Sequence, residues 1–503
     1  MRSLLQMTMS GTKLGKLSIQ WVSVFIFIFS GSVVGQDMEW SNPRKLKGSN
    51  AYTSVIGEDA TGLYLLRFRN QFLTKNVIIE RYRNHLGFAL SKNITLKKSR
   101  LLYAELQEKG LLLLTAHYDR KRMQNEVRCQ WYDHNINPVG KEKVLVTSTL
   151  SDFYDKGDFR VRFSNDRQSI MIVHTEKTED NKRILDINIF DVNLDLVQEH
   201  RYKLDIIYNN FYLNNLMLDD NANAYFLISQ HRVEHRKEQL SSAKANVYWY
   251  NSRLDSLTDF QVLDSGKSLR KAQFSWDRTN NYINLTAFYS SIKSSNTDGI
   301  FHFRMTPGQR PKTTYQEFTD EFKSQLFGDQ EASVFEDVKN FELLRAIPNS
   351  DGGLTIVAER SSISNETDVT YINGMPTTMA RNIYNFDDVL VISLDSLYSI
   401  KWKYLINKSQ SSLNDNGYYS SIVVANTRSH LYIMYNDRLR SNGDVMQYTF
   451  EANGQVTYKI LVRSDNHFVS IIPSEAKQIS YNRVILPVTK DRKFSLLKLD
   501  YTN

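Results

Sequence analysis

The chain has 503 residues, with 63 Lys and Arg against 55 Asp and Glu and a formal charge of +8 at pH 7. Arg2, Lys13 and Lys16 have no acid near them, so the chain beyond residue 35 carries only +5. That is too dilute for a nucleic-acid binder, which needs a concentrated basic stripe. Cys129 is the single cysteine, which excludes an internal disulfide, and plentiful Tyr, Phe, Val, Ile and Leu with only 8 Pro exclude disorder and favour strands.

The N-terminus reads as a secretory signal over residues 1–35. The basic residues precede an apolar run from Leu17 to Phe29, and small residues follow, Ser30-Gly31-Ser32-Val33-Val34-Gly35. This layout predicts cleavage before Gln36, since the run is short for a membrane-spanning helix. No later segment is apolar enough to span a bilayer, and no cysteine stands at the cleavage site to take a lipid.

From about residue 50 onward one phrase recurs about eight times. A turn rich in Asp, Asn and Gly leads into a short apolar run. The first copies are Asp59-Ala60-Thr61-Gly62 before Leu63-Tyr64-Leu65-Leu66, and Glu108-Lys109-Gly110 before Leu111-Leu112-Leu113-Leu114. Later ones are Asp219-Asp220-Asn221-Ala222-Asn223 before Tyr225-Phe226-Leu227-Ile228, and Asn349-Ser350-Asp351-Gly352-Gly353 before Leu354-Thr355-Ile356-Val357. Asn, Asp and Gly suit such turns because they tolerate positive φ and bond their own backbone. Apolar runs bounded in this way read as strands buried on both faces. A second run follows each first one, such as Val127-Arg128-Cys129-Gln130-Trp131 or Leu185-Asp186-Ile187-Asn188-Ile189, and then a further strand, such as Leu196 to Leu204 or Gln455 to Val462.

Each copy is thus a four-stranded antiparallel meander of roughly 50–60 residues, the size of a β-propeller blade. The fold class is therefore all-β, a single propeller over 36–503 of about eight blades, or seven if one weak copy is an insertion. The last copy stops after its third strand, at Tyr501-Thr502-Asn503, so the segment Met38 to Leu46 is expected to supply the missing outer strand and close the ring. Between blades, about 313–340 is expected to hold a short helix, because Phe318, Phe322 and Leu326 recur every fourth residue. That helix is expected to pack on the rim.

Two second-to-third connections are long. One runs His231 to Asn246 with Arg232, His235, Arg236, Lys237 and Lys244; the other, 360–388, holds Tyr371, Asn373, Met375, Arg381 and Tyr384. Both read as crown loops, and Arg, Met and aromatics are the residue types that interfaces favour. They are the candidate binding residues.

No catalytic residue and no cofactor is assigned. There is no Gly-x-Ser-x-Gly, P-loop or dinucleotide fingerprint. His231 and His235 have zincin spacing only, with Glu234 in the wrong place. The recurrent Asp residues occupy one blade position and read as turn formers. His117, His174 and His231 fall near the ends of second strands in successive blades, the only weak candidates for a metal site.

The stretch Tyr384-Asn385-Phe386-Asp387-Asp388-Val389-Leu390-Val391, with Ile400-Lys401-Trp402, Asn407-Lys408-Ser409-Gln410-Ser411-Ser412 and Tyr435-Asn436-Asp437, resembles uncharacterised secreted propeller-like proteins of Bacteroidetes-type bacteria. The resemblance is clearest over about Gly352 to Asp437. It implies a bacterial cell-envelope setting and no site residues. Because the chain ends inside the last blade, a periplasmic or outer-membrane-associated place is expected rather than surface sorting. The expected role is a non-catalytic scaffold for a protein partner in the envelope. Glycan binding, or a lyase or hydrolase site at the channel mouth, stands as the alternative.

Overall fold

The computed structural model describes residues 35–501 except 46–51, 69–75, 98, 150–158, 208–210, 233–240, 264–265, 292–295, 307–308, 328–337, 373–374, 440–442 and 465–467. The signal segment 1–34 lies outside the described residues, as do His235, Arg236 and Asn373. No helix among the described residues is long and apolar enough to cross a membrane.

The described strands pair into eight antiparallel sheets. Seven are meanders in chain order, beginning with Tyr52–Asp59, Gly62–Phe68, Asn76–Tyr82 and Phe88–Thr95. The eighth is closed by the N-terminus. Gln36–Trp40 pairs antiparallel with Lys493–Tyr501, from Gln36↔Tyr501 to Trp40↔Leu497. The protein is an eight-bladed β-propeller whose ring is sealed between the two ends of the chain. The second strands are buried on both faces, as their apolar runs dictate; Leu111 to Leu114 and Ile170 to Val173 are fully enclosed. Cys129 is packed in the second blade, and burial raises its thiol pKa, so it is a core side chain.

The recurrent Asp residues bend the chain. Asp133, Asp191, Asp219 and Asp395 each accept backbone N–H groups from two and four residues onward, at 2.7–2.9 Å. Gly62 shows why glycine stands in these turns: its φ is +138°, and a Cβ there would lie 1.9 Å from the Tyr82 carbonyl.

One regularity has no counterpart in the sequence pattern. The inner strands of five blades carry a bulge at matching places, between Val55/Gly57, Leu101/Tyr103, Leu213/Asn215, Arg270/Gln273 and Leu343/Arg345. A bulge leaves a residue out of the ladder, and the local carbonyls need another donor. At four of the five, the preceding blade supplies it. Lys477 donates to Ile56 O at 2.6 Å, Arg160 to Leu213 O at 2.6 Å, Asn215 to Ala272 O at 2.6 Å and Gln273 to Leu344 O at 2.8 Å. These inner strands are thereby latched blade to blade, always in the same direction around the ring.

Three sequence expectations are corrected. The segment 360–388 is no irregular loop: Leu354–Ile372 and Met375–Leu394 form one continuous hairpin. Alternating Ser, Thr, Ile and Val let the strands run on past the blade. The connection 231–246 is shorter than expected, because the strands reach Arg232 and resume at Ser241, with His231↔Ser242 and Arg232↔Ser241 in register. In the insertion 313–340, Lys312–Glu317 is the outer strand of the fifth blade, and only Asp320–Phe327 is helical among its described residues. Phe318 and Phe322 of that segment are buried, stack at 4.4 Å and join the core shared by the fifth and sixth blades.

Candidate functional site

A meander puts its inner–second and third–outer turns at one end of the ring. The second–third turns and the inter-blade connections lie at the other. The hairpin Leu354–Leu394 belongs to the second end and is its largest described feature. Its lower pairs, Leu354↔Leu394 to Glu359↔Val389, are the body of the sixth blade; its upper pairs, Ser361↔Phe386 to Ile372↔Met375, stand beyond it. At about 3.3 Å per residue this is roughly 40 Å of extra paired strand. Ser362 to Thr367 are exposed, Ile363 is 66% exposed and Met375 73%.

A short strand, Gln410–Leu413, buttresses one edge of the hairpin, from Phe386↔Gln410 to Ile383↔Leu413. Asn382 N donates to Asn414 Oδ1 at 2.8 Å, and the Tyr384 hydroxyl donates to Asn416 Oδ1 at 2.7 Å. On the opposite edge Ser361 N donates to Asn340 O at 3.0 Å, and Ser362 to Ile372 pair with no strand among the described residues. A free edge is a row of N–H and C=O groups ready to take another extended chain.

Of the expected binding residues, Tyr371, Met375, Arg381 and Tyr384 all lie on this hairpin, with Arg381 across from Glu366 and Tyr371 across from Pro376. Arg232 ends a strand of the fourth blade instead, so the two expected crown loops belong to different blades.

His117 and His174 have different partners, and the side chain of His231 lies outside the described residues. His117 Nδ1 meets Ser99 Oγ at 3.2 Å. His174 collects carboxylates from its own blade: its Nε2 lies 3.2 Å from Glu176 Oε1 and 3.1 Å from Asp186 Oδ2. His174 is 4% exposed. Burial alone would lower its pKa, but the two carboxylates outweigh that and raise it. Burial likewise pushes Glu176 up, yet His174, Ser148 and Arg201 bring it down to about 2. Sequence spacing missed Glu176 and Asp186; His174 and Glu176 stand two apart on one strand, and so on one face, while Asp186 comes from the neighbouring strand.

The described cavities open at the other end, among the tight turns. One of about 330 Å³ sits between the fourth and fifth blades and is lined by Tyr225, Trp249, Phe260, Asn221, Asn281 and Gln309, among others. Asp219 and Asn223, also on its wall, are consumed by their own turn. A larger one, about 780 Å³, is lined by turns of the first three blades, including Asp59, Thr61, Gln107, His134 and Arg167. There His134 Nδ1 lies 3.3 Å from Asp59 Oδ2 and 3.4 Å from the hydroxyl of the buried Tyr64.

No family model matches the chain, and no curated protein matches it in sequence. Solved structures do. A member of the DUF4221 family from Bacteroides vulgatus is 8% identical, covering 85% of this chain and 98% of its own, with a TM-score of 0.33. The β-propeller domain of the Trilobed protease from Pyrococcus furiosus is also 8% identical, covering 85% and 97%, with a TM-score of 0.33. Puromycin hydrolase is 10% identical, covering 80% and 62%, with a TM-score of 0.37.

Proposed function

We propose that this propeller is an exported, non-catalytic binding protein of the bacterial cell envelope, and that a protein partner docks on the projecting hairpin Leu354–Leu394. The observation that carries this reading is the edge Ser362 to Ile372, which pairs with no strand among the described residues while the other edge is braced. Strand addition to such an edge draws affinity from main-chain hydrogen bonds and specificity from alternate side chains. Export rests on the signal-like layout of residues 1–35. The test is capture from native envelope extract with the chain from Gln36 onward, beside a variant in which 363–384 is replaced by a short Gly/Ser turn. A stoichiometric protein held by the first and lost by the second supports the reading. Capture of the same protein by both removes the hairpin from it, and capture of nothing by either removes the protein partner.

The cavity between the fourth and fifth blades favours a second reading, a glycan site. Trp249 and Phe260 offer apolar faces for a sugar ring, and Asn221 and Asn281 make no side-chain hydrogen bond to a described residue. Quenching of Trp fluorescence by soluble oligosaccharides, absent in Trp249→Phe, would support it. Identical titrations of the two proteins would end it.

A further inference from the structure

We propose that His174, Glu176 and Asp186 bind one divalent cation of the zinc class at the seam between the second and third blades. The three side chains come from adjacent strands, Ser169–Lys177 and Lys182–Asp191. His174 and Asp186 are directly opposed in register, and Glu176 stands two residues from His174 on the same face. Each offers one ligand atom, and all three lie within 4.8 Å of one another.

Charge makes the case first. Two carboxylates are sunk here, with Glu176 and Asp186 side chains 11% and 9% exposed. One guanidinium serves them both: Arg201, the register partner of Asp186 on the next strand, pairs with Glu176 Oε2 and lies 3.8 Å from Asp186 Oδ1. One negative charge is left over, and buried charge requires compensation. A proton on His174 balances it, or a divalent cation among the three side chains does so with hydroxide as its fourth ligand.

Geometry separates the two. One Nε2–H cannot point straight at both carboxylate oxygens that approach it, at 3.1 and 3.2 Å. Asp186 is 7% exposed, and its Oδ2, aimed at His174, has no hydrogen-bond partner. A cation has no such directional limit. Ligands about 2.0–2.1 Å from a tetrahedral metal lie about 3.3 Å apart, close to the two separations from His174 Nε2. One imidazole and two carboxylates suit zinc better than calcium or magnesium, which prefer oxygen alone. An outer layer is present on the Glu176 side: Arg201 holds its far oxygen, and Ser148 Oγ, from the outer strand of the second blade, donates to Glu176 Oε1 at 2.5 Å, while His174 Nδ1 has no hydrogen-bond partner among the described residues. A bound cation would therefore couple two neighbouring blades.

The test uses the chain from Gln36 onward, without a polyhistidine tag, freed of metal by chelator and titrated with Zn²⁺ and Co²⁺. The expected result is one equivalent of Zn²⁺ per chain, visible Co²⁺ absorption of the tetrahedral type, and affinity at least tenfold weaker in Glu176→Gln and in His174→Gln. No stoichiometric uptake, or uptake that both variants keep unchanged, overturns the proposal. Should the variants not fold, nitrogen NMR of the intact protein decides. Zn²⁺ must shift the His174 Nε2 resonance; a ring that stays protonated and unmoved shows that the proton, not a cation, balances the charge.

Discussion

Lys408 Nζ lies 2.8 Å from Glu359 Oε1, and the two side chains are only 1% and 2% exposed. This pair sits at the foot of the projecting hairpin, where Lys408 also donates to Phe386 O at 2.7 Å and Gln410 Oε1 at 3.0 Å, and Ser421 donates to Glu359 Oε2 at 2.5 Å. Burial raises the Glu359 pKa and lowers that of Lys408, so desolvation acts against the charged form of both partners. The pair fixes where the hairpin leaves the blade more than it adds to stability. Lys408→Met should cost about 3–5 kcal/mol, since it strands a buried carboxylate. Adding Glu359→Gln should return most of that loss. Urea unfolding of the two variants checks it, and a double variant no better than the single would refute the account.

Glu475 makes stability depend on pH. Its Oε1 accepts Thr53 N at 2.9 Å, across the closure of the ring. Burial raises its pKa to about 8 from an ordinary 4.5. A carboxyl with a raised native pKa favours the fold while protonated. Its contribution is whole below pH 4.5 and is lost as pH climbs through 8. Glu475→Gln keeps the acceptor without the charge. It should gain on the order of 1–3 kcal/mol over wild type at pH 8 and little at pH 4.5, read as denaturation midpoints at the two pH values.

The ring depends on its N-terminal strand. Beyond the ladder with Lys493–Tyr501, Ser41 Oγ accepts Leu496 N at 2.8 Å, Arg44 N donates to Phe494 O at 2.7 Å, and Trp40 packs on the core of the last blade. A chain beginning at residue 45 would expose the edge of that strand. Lower thermal stability and concentration-dependent self-association are expected, measured by calorimetry and size-exclusion chromatography. A monomer of unchanged melting temperature would show that the closure is dispensable.

The latches between inner strands predict a graded loss. Gln273→Leu removes the donor to Leu343 O, 3.2 Å away, and to Leu344 O, 2.8 Å away. It should cost about 1–3 kcal/mol, the penalty of leaving an inner carbonyl unpaired. Gln273→Glu, which repels the same carbonyl, should cost more. Equal stability of all three proteins in guanidinium would contradict the latch.

Much of the blade architecture is legible in the residues alone. Alternating apolar runs and Asp-rich turns specify strands and their ends, because burial and backbone bonding in a turn are local demands; Asp133, Asp191 and Asp395 do what the pattern implies. The hairpin residues Tyr371, Met375, Arg381 and Tyr384 stand out as a group, but their length beyond the blade reads as loop. Polar, β-branched residues exposed on both faces carry no burial signal, so nothing in the pattern separates a free-standing hairpin from a loop.

The repeat, the strand order within each blade and the sealing of the ring by its own N-terminus are properties of the amino-acid order, since each follows from period, turn chemistry and one missing strand. Other relationships come from packing in three dimensions. Packing sets Glu176 and Asp186 around His174, joins Lys408 to Glu359, and matches inner-strand bulges to donors in the preceding blade. Apart from His174 and Glu176, which share one strand, these contacts join residues far apart in the chain. Register and blade packing fix them, and neither leaves a mark in the spacing of residues along one strand.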